Sequence, residues 1–224
     1  MNIMNKIEKR NGNNDVFIIG EMMEDFHYSH MVKEQKFYQG QIAIPRKSGE
    51  LDFVSLIVSE KMIDPDAPYA GEFLAVTGEY RSCHKHYDGK SHVVLYLSAS
   101  DLKVVTNEDV YAQNQIYLDG YICKKSNYRT TKTGHPLMDG IIAINRPGGK
   151  SDYIPCLFWN RHANELDNMS IGTHVRITGR IQSRTYTKMC DDETKAYLAY
   201  EVSIKQMDII QPELMRDHTM VAVG

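Results

Sequence analysis

The chain has 224 residues, room for one large domain or two of about 100 each, and its 42% hydrophobic and 25% charged residues suit a folded globular protein. No apolar run approaches the ~18 residues of a membrane-spanning helix, and the Asn-rich first 14 residues lack the apolar centre of a signal peptide, so a cytoplasmic protein without a membrane partner is expected. The net charge of −3 conceals a division: residues 1–110 carry 12 Lys/Arg against 17 Asp/Glu, whereas residues 124–188 carry 11 against 4, the local excess that a polyanion needs.

In chain order, an apolar run ends at Ile19-Gly20, and a turn at Ser48-Gly49 precedes Asp52-Phe53-Val54. A short helix is expected at residues 59–63, a turn at Asp88-Gly89 and a strand at residues 93–97. Residues 106–113 read as a linker. The pattern then returns. Asp119-Gly120 follows Ile19-Gly20 at an offset of 100. Ala143-Ile144-Asn145-Arg146 follows Ala43-Ile44-Pro45-Arg46, and Asp152-Tyr153-Ile154 follows Asp52-Phe53-Val54, at that same offset. Thr178-Gly179 and Ser183 follow Thr77-Gly78 and Ser82 at 101. Spacing held over about 65 residues indicates a duplication. Strands at 175–181 and 198–204 and a second short helix at 160–166 complete the later copy. The fold class expected is all-β: two tandem Greek-key β-barrels, residues 15–106 and 113–210, each with one short helix, followed by a tail at 211–224.

The stretch from His174 to Lys188 carries the chemistry. Val175, Ile177, Gly179 and Ile181 form a core face, while Arg176, Thr178, Arg180, Gln182, Arg184, Tyr186 and Lys188 alternate onto the other. Four cations around an aromatic suit phosphates and unstacked bases, with a solvated edge as the plain alternative. In the strand around residues 151–159, Ile154, Cys156 and Phe158 point one way; Tyr153 and Trp159 point the other, as stacking platforms or as an interface between barrels or subunits. The loop from Lys124 to Lys132 adds Tyr128 and Arg129, and Arg146 beside Pro147-Gly148-Gly149 adds a further cation. Cys83, Cys123, Cys156 and Cys190 form no CxxC pair, and His84 and His86 beside Cys83 lack a fourth ligand, so no metal or other cofactor is expected.

With these residues in view, the second half resembles the bacterial single-stranded DNA-binding protein family. The resemblance rests on Asn114 to Gly120, Tyr128-Arg129-Thr130, Asn145-Arg146, Ser151 to Cys156 and Gly179 to Tyr186, over about residues 114–210. It implies an OB-fold in each copy, and single-stranded DNA bound with little sequence preference in replication, recombination or repair. It also implies Tyr153, Trp159 and Tyr186 as stacking residues, and a homodimer presenting four barrels. The last residues, His218 to Gly224, carry no acidic recruiting motif, so replication or repair partners are not expected to dock through such a tail. The first half is the eroded copy: Ser59 stands for Trp159, and Ala75, Glu79 and Cys83 stand for Arg176, Arg180 and Arg184. Phe53, Arg81, Lys85 and Tyr87, with Tyr80, are its candidates for secondary DNA contact. No phosphate-binding loop, zinc-deaminase signature or carboxylate cluster with a basic partner is present, so an enzyme is not expected. Two readings stay open beside DNA binding: RNA as the ligand, and a primosome-like adaptor that binds proteins chiefly.

Overall fold

The structure, a computed structural model, describes residues 12–87, 89–105, 112–190 and 193–211; at 86–87, 90–92, 188–190 and 193–197 it describes the backbone without the side chains. In chain order the elements are β1 (Asn14–Met22), β2 (His27–Val32), β3 (Gln35–Pro45), β4 (Leu51–Ser59), β5 (Phe73–Tyr87), β6 (Lys90–Val105), β7 (Gln113–Lys125), β8 (Arg129–Thr130), β9 (Pro136–Arg146), β10 (Lys150–Trp159), α1 (Arg161–Asn168), β11 (His174–Cys190) and β12 (Glu193–Ile209).

The strands close into two barrels. In the first, the order β3-β4-β6-β5-β1 returns to β3 through a β1–β3 pairing; in the second, β9-β10-β12-β11-β7 returns to β9 through β7–β9. Each contains one parallel contact, Leu56 opposite Leu97 and Cys156 opposite Val202, with the other pairings antiparallel. This five-stranded Greek-key closure is the OB-fold. The barrels join where β1 and β7 pair antiparallel with Val16 opposite Ile116, so a pseudo-twofold axis passes between those residues. β1 therefore has the first barrel on one edge and β7 on the other, and its run from Val16 to Gly20 is buried without alternation.

Elsewhere the alternation expected from a period of two holds. Ile154, Cys156 and Phe158 of β10 and Val175, Ile177 and Ile181 of β11 are buried. Two glycine pairs make closure feasible. A Cβ on Gly20 or Gly120 would lie 2.5 or 2.4 Å from the carbonyl oxygen of Ala43 or Ala143, where β1 and β7 cross β3 and β9. Gly78 and Gly179 sit at matching register shifts, where β5 meets β6 and β11 meets β12.

One expectation is corrected. Only the second barrel carries a helix among the described residues; residues 60–62 of the first turn instead of coiling. Pro65 disfavours helical backbone at Asp64, and the Asp64 carboxylate accepts the Asp66 amide at 3.1 Å in a local turn. α1 survives because it buries His162, Ala163 and Leu166. In addition, the Lys125 ammonium, reaching from β7, donates to the Asp167 and Met169 carbonyls at 2.7 and 2.8 Å, capping the negative end of the helix.

Candidate nucleic-acid interface

The outer face of β10 presents Tyr153, 47% exposed, and a half-buried Trp159. Beside the mouth of that barrel, Tyr128 is 41% exposed and its hydroxyl donates to Asn164 Oδ1 of α1 at 2.8 Å. Arg129 of β8 grips Asp139 of β9 through both terminal nitrogens, one at 3.0 Å. That hydrogen bonding holds the Asp139 carboxyl below its ordinary range, against an opposing push from burial. The long β11–β12 hairpin supplies a second wall. Arg184 pairs with Glu201 at 3.3 Å, and its guanidinium carbon lies 5.9 Å from the ring centre of Tyr186, which is 41% exposed. The charge of Arg184 acts on Asp139 and that of Glu201 on Arg129, so hairpin and loop lie within electrostatic reach of each other. The Lys188 side chain lies outside the described residues.

The other arginines have work between or within barrels. Asp52 and Asp152 are buried at pseudo-equivalent positions of the seam. Asp52 accepts from Arg46 and from Arg180, each at 2.6 Å, and from the Ser183 amide at 3.1 Å. Asp152 accepts from Arg81 at 2.8 Å, the Ser82 amide at 2.8 Å and, more loosely, Arg146 at 3.4 Å. Ser183 Oγ in turn accepts the Phe53 amide and Ser82 Oγ the Tyr153 amide, both at 2.8 Å. Asn14 clamps the Tyr80 backbone and Asn114 the Ile181 backbone, each through one donated and one accepted bond of 2.7–2.9 Å.

The single surface expected from Arg176 to Lys188 is therefore divided. Arg176 donates to Asp119 of β7 at 2.8 Å, Arg180 faces the first barrel, and Gln182 is buried against Glu201 at 2.9 Å. The strand crosses three environments in succession, which alternation along one strand does not reveal. Asp139, Glu201, Asn114 and the two seam aspartates were missed by the sequence reading. The repeat of Asp52 at Asp152 was visible, yet a lone acid gives no hint of which cations it will find.

In the first barrel, Phe53 is half-buried against Ser183, Tyr80 is buried, and Arg81 is 14% exposed between Asp152 and Glu79. Lys85 is exposed; the Tyr87 side chain lies outside the described residues. The groove of this barrel, about 390 Å³, is lined by His30, Gln39, Ser55, Lys85 and Tyr96 among others, with no arginine.

Two OB barrels fused across an antiparallel β1–β7 seam, with aromatics and arginines at the mouth of the second, define a tandem OB-fold protein. Residues 113–210, the second barrel, match the model of the single-strand binding protein family. The chain is 28% identical over 107 residues to single-stranded DNA-binding protein 1 of Staphylococcus aureus (strain COL), covering 45% of this chain and 62% of that one. It is 35% identical over 80 residues to single-stranded DNA-binding protein 3 of Streptococcus agalactiae serotype V, covering 33% and 58%. The match thus spans about three-fifths of these relatives' own length. Among solved structures, a deletion mutant of the single-stranded DNA binding protein from Thermus aquaticus superposes with a TM-score of 0.73 over 92% of this chain and 98% of that one. At 15% identity, that likeness is one of fold. Among the described residues no helix is long and apolar enough to cross a membrane.

Proposed function

We propose that the protein binds single-stranded DNA without catalysis and with little sequence preference, chiefly through the groove of its second barrel. The observation that carries this reading is the set of partly exposed rings, Tyr128, Tyr153 and Tyr186, flanked by Arg129 and Arg184 on the barrel that matches the single-strand binding family. Rings offer π-faces to any base, and guanidiniums already hydrogen-bonded to carboxylates exchange those partners for phosphate oxygens. Arg146, Arg176, Arg180 and Lys188 belong to this reading as phosphate contacts further along the path. Phe53, Arg81, Lys85 and Tyr87 belong to it as weaker contacts of the first barrel. A homodimer presenting four barrels, acting in replication, recombination or repair, completes the proposal, and sedimentation equilibrium tests the dimer.

Trp159 is the only tryptophan in the chain, and it pairs with Leu137, whose other neighbour is Arg129. Titration with oligo-dT should quench its fluorescence, duplex DNA should not, and raising salt should weaken the effect. Replacing Tyr153 by Ala should cost about 1–3 kcal/mol of affinity, the worth of one stacked base. Single-strand binding that is weak and indifferent to Tyr153→Ala would move the reading to a protein-binding adaptor.

A further inference from the structure

At the seam, the β3–β4 turn of the first barrel faces β7, β11 and β12 of the second across an open cleft of about 900 Å³. Its lining brings four cations, Arg46, Lys47, Arg180 and Lys205, against one carboxylate, Asp52, and Glu50 at the foot of the same turn accepts from Arg46 at 2.5 Å, so two cations remain in excess. Asp52 fixes this charge more than it cancels it. By accepting from Arg46 and Arg180 at 2.6 Å each, it holds guanidiniums from two barrels beside one another. Arg46 Nε is buried there with no acceptor of its own. Lys47 and Lys205 are exposed, and among the described residues neither has a carboxylate partner. Lys205 is the extra residue of β12 at its bulge, because Thr178 faces Gln206 while Gly179 faces Ile204. A bulge re-aims a side chain out of the ladder, and this one turns into the cleft.

The pseudo-twofold axis supplies an internal control. On the opposite side of the seam, Pro147 stands for Lys47, Ser100 for Lys205, Glu79 for Arg180 and Asp15 for Gln115. There Arg81 and Arg146 meet two acids, Asp152 and Glu79; Lys150 standing for Glu50 is the one exchange in the other sense, and the remaining exchanges leave this side the less basic of the two. Since both sides share the buried Asp–Arg contact that holds the barrels together, docking alone does not require the added cations. The difference calls for a polyanion on one side.

We propose that the basic cleft is a second phosphate-binding site, which carries the backbone of a single strand from the groove of the second barrel across the seam. The inference rests on the function proposed above. Arg180 and Arg184 are four residues apart on β11, so the bound strand would span about 13 Å from groove to cleft, passing over the buried Gln182.

The test uses the full chain and the double variant Lys47→Gln, Lys205→Gln, both exposed positions. Oligo-dT of about 8 and about 40 nucleotides separates one barrel's site from a path across two. The short strand should bind both proteins within about twofold, read by the fluorescence anisotropy of an end-labelled oligonucleotide. The long strand should bind the variant about tenfold more weakly, with a salt slope reduced by roughly 1.4 for two lost phosphate contacts. Unchanged affinity and slope with the long strand would overturn the cleft, as would equal losses at both lengths. An acidic peptide bound by the wild type and not by the variant, with long-strand affinity unchanged, would overturn it in favour of a protein partner. Absence of single-strand binding by the wild type would instead sink the underlying function.

Discussion

Asp139 sets how much of Arg129 is offered to a ligand. Each guanidinium–carboxylate pair at the groove is neutral until another anion displaces the acid, so under the proposed function Asp139 competes with the DNA backbone for Arg129. Asp139→Asn should therefore raise oligo-dT affinity at low salt by about 3–10-fold, on the scale of one gained phosphate contact. Unchanged or weaker binding in a fluorescence titration would show that Asp139 positions Arg129 instead of withholding it. The same carboxylate links fold to pH. Its folded pKa lies below the ordinary value, chiefly through Arg129. Burial pushes the Asp119 carboxyl up, but Arg176 and His174 outweigh it and hold that group low as well. The folded state thus holds fewer protons than the unfolded chain near pH 4. The stability these acids contribute is complete above the unfolded carboxylate pKa of about 4 and drains as pH falls through the lower folded values.

Among the elements, the two long hairpins decide how the barrels meet. Each bends at a register shift marked by a glycine, and the space is closed to a side chain. A Cβ on Gly179 would come 2.4 Å from the Ser203 carbonyl oxygen, and one on Gly78 would come 2.1 Å from that of Ser98. Backbone must shift to admit a methyl there. Gly179→Ala should therefore destabilise by about 1–3 kcal/mol, seen as a lower urea midpoint with an unchanged slope. An unaltered midpoint would mean that the bulge yields without cost. Beyond that bend, Tyr200 of β12 lies with its hydroxyl 3.4 Å from Gln41 Nε2 and 3.3 Å from Ser55 Oγ, so the hairpin of the second barrel rests on the first.

At the scale of the molecule, the seam makes two barrels into one cooperative body. The buried apolar residues of both form one continuous cluster, which crosses the axis at Val16 and Ile116. Neither barrel can loosen without exposing the edge of its neighbour and the buried Asp52 or Asp152. Trp159 fluorescence, which reports the second barrel, and far-UV circular dichroism, which reports both, should therefore follow a single urea transition. Two separated transitions would show that the barrels are independently stable and that the seam is a weak joint.

The duplication, the period-two strands, the turns and the outward rings at Tyr153 and Tyr186 were legible in the sequence. Each depends on local spacing: alternation fixes which face a side chain takes, and a repeat preserves register at a constant offset. The short helix at 161–168 was legible for the same reason; its absent counterpart was not, because Pro65 and the Asp64 turn overrode a weak local preference. What the arginines do was decided only by tertiary structure. Arg180 reads as Arg184 does, a cation on an alternating strand, yet one meets Asp52 from 128 residues away and the other meets Glu201 across its own hairpin. A charge acts over a few ångströms in space with no regard for sequence distance, so partners brought together by barrel closure and by the seam leave no local trace. By itself the sequence determined two barrels and the face that carries rings and cations. Folding determined which of those cations stay at the mouth of the second barrel and which hold the barrels together.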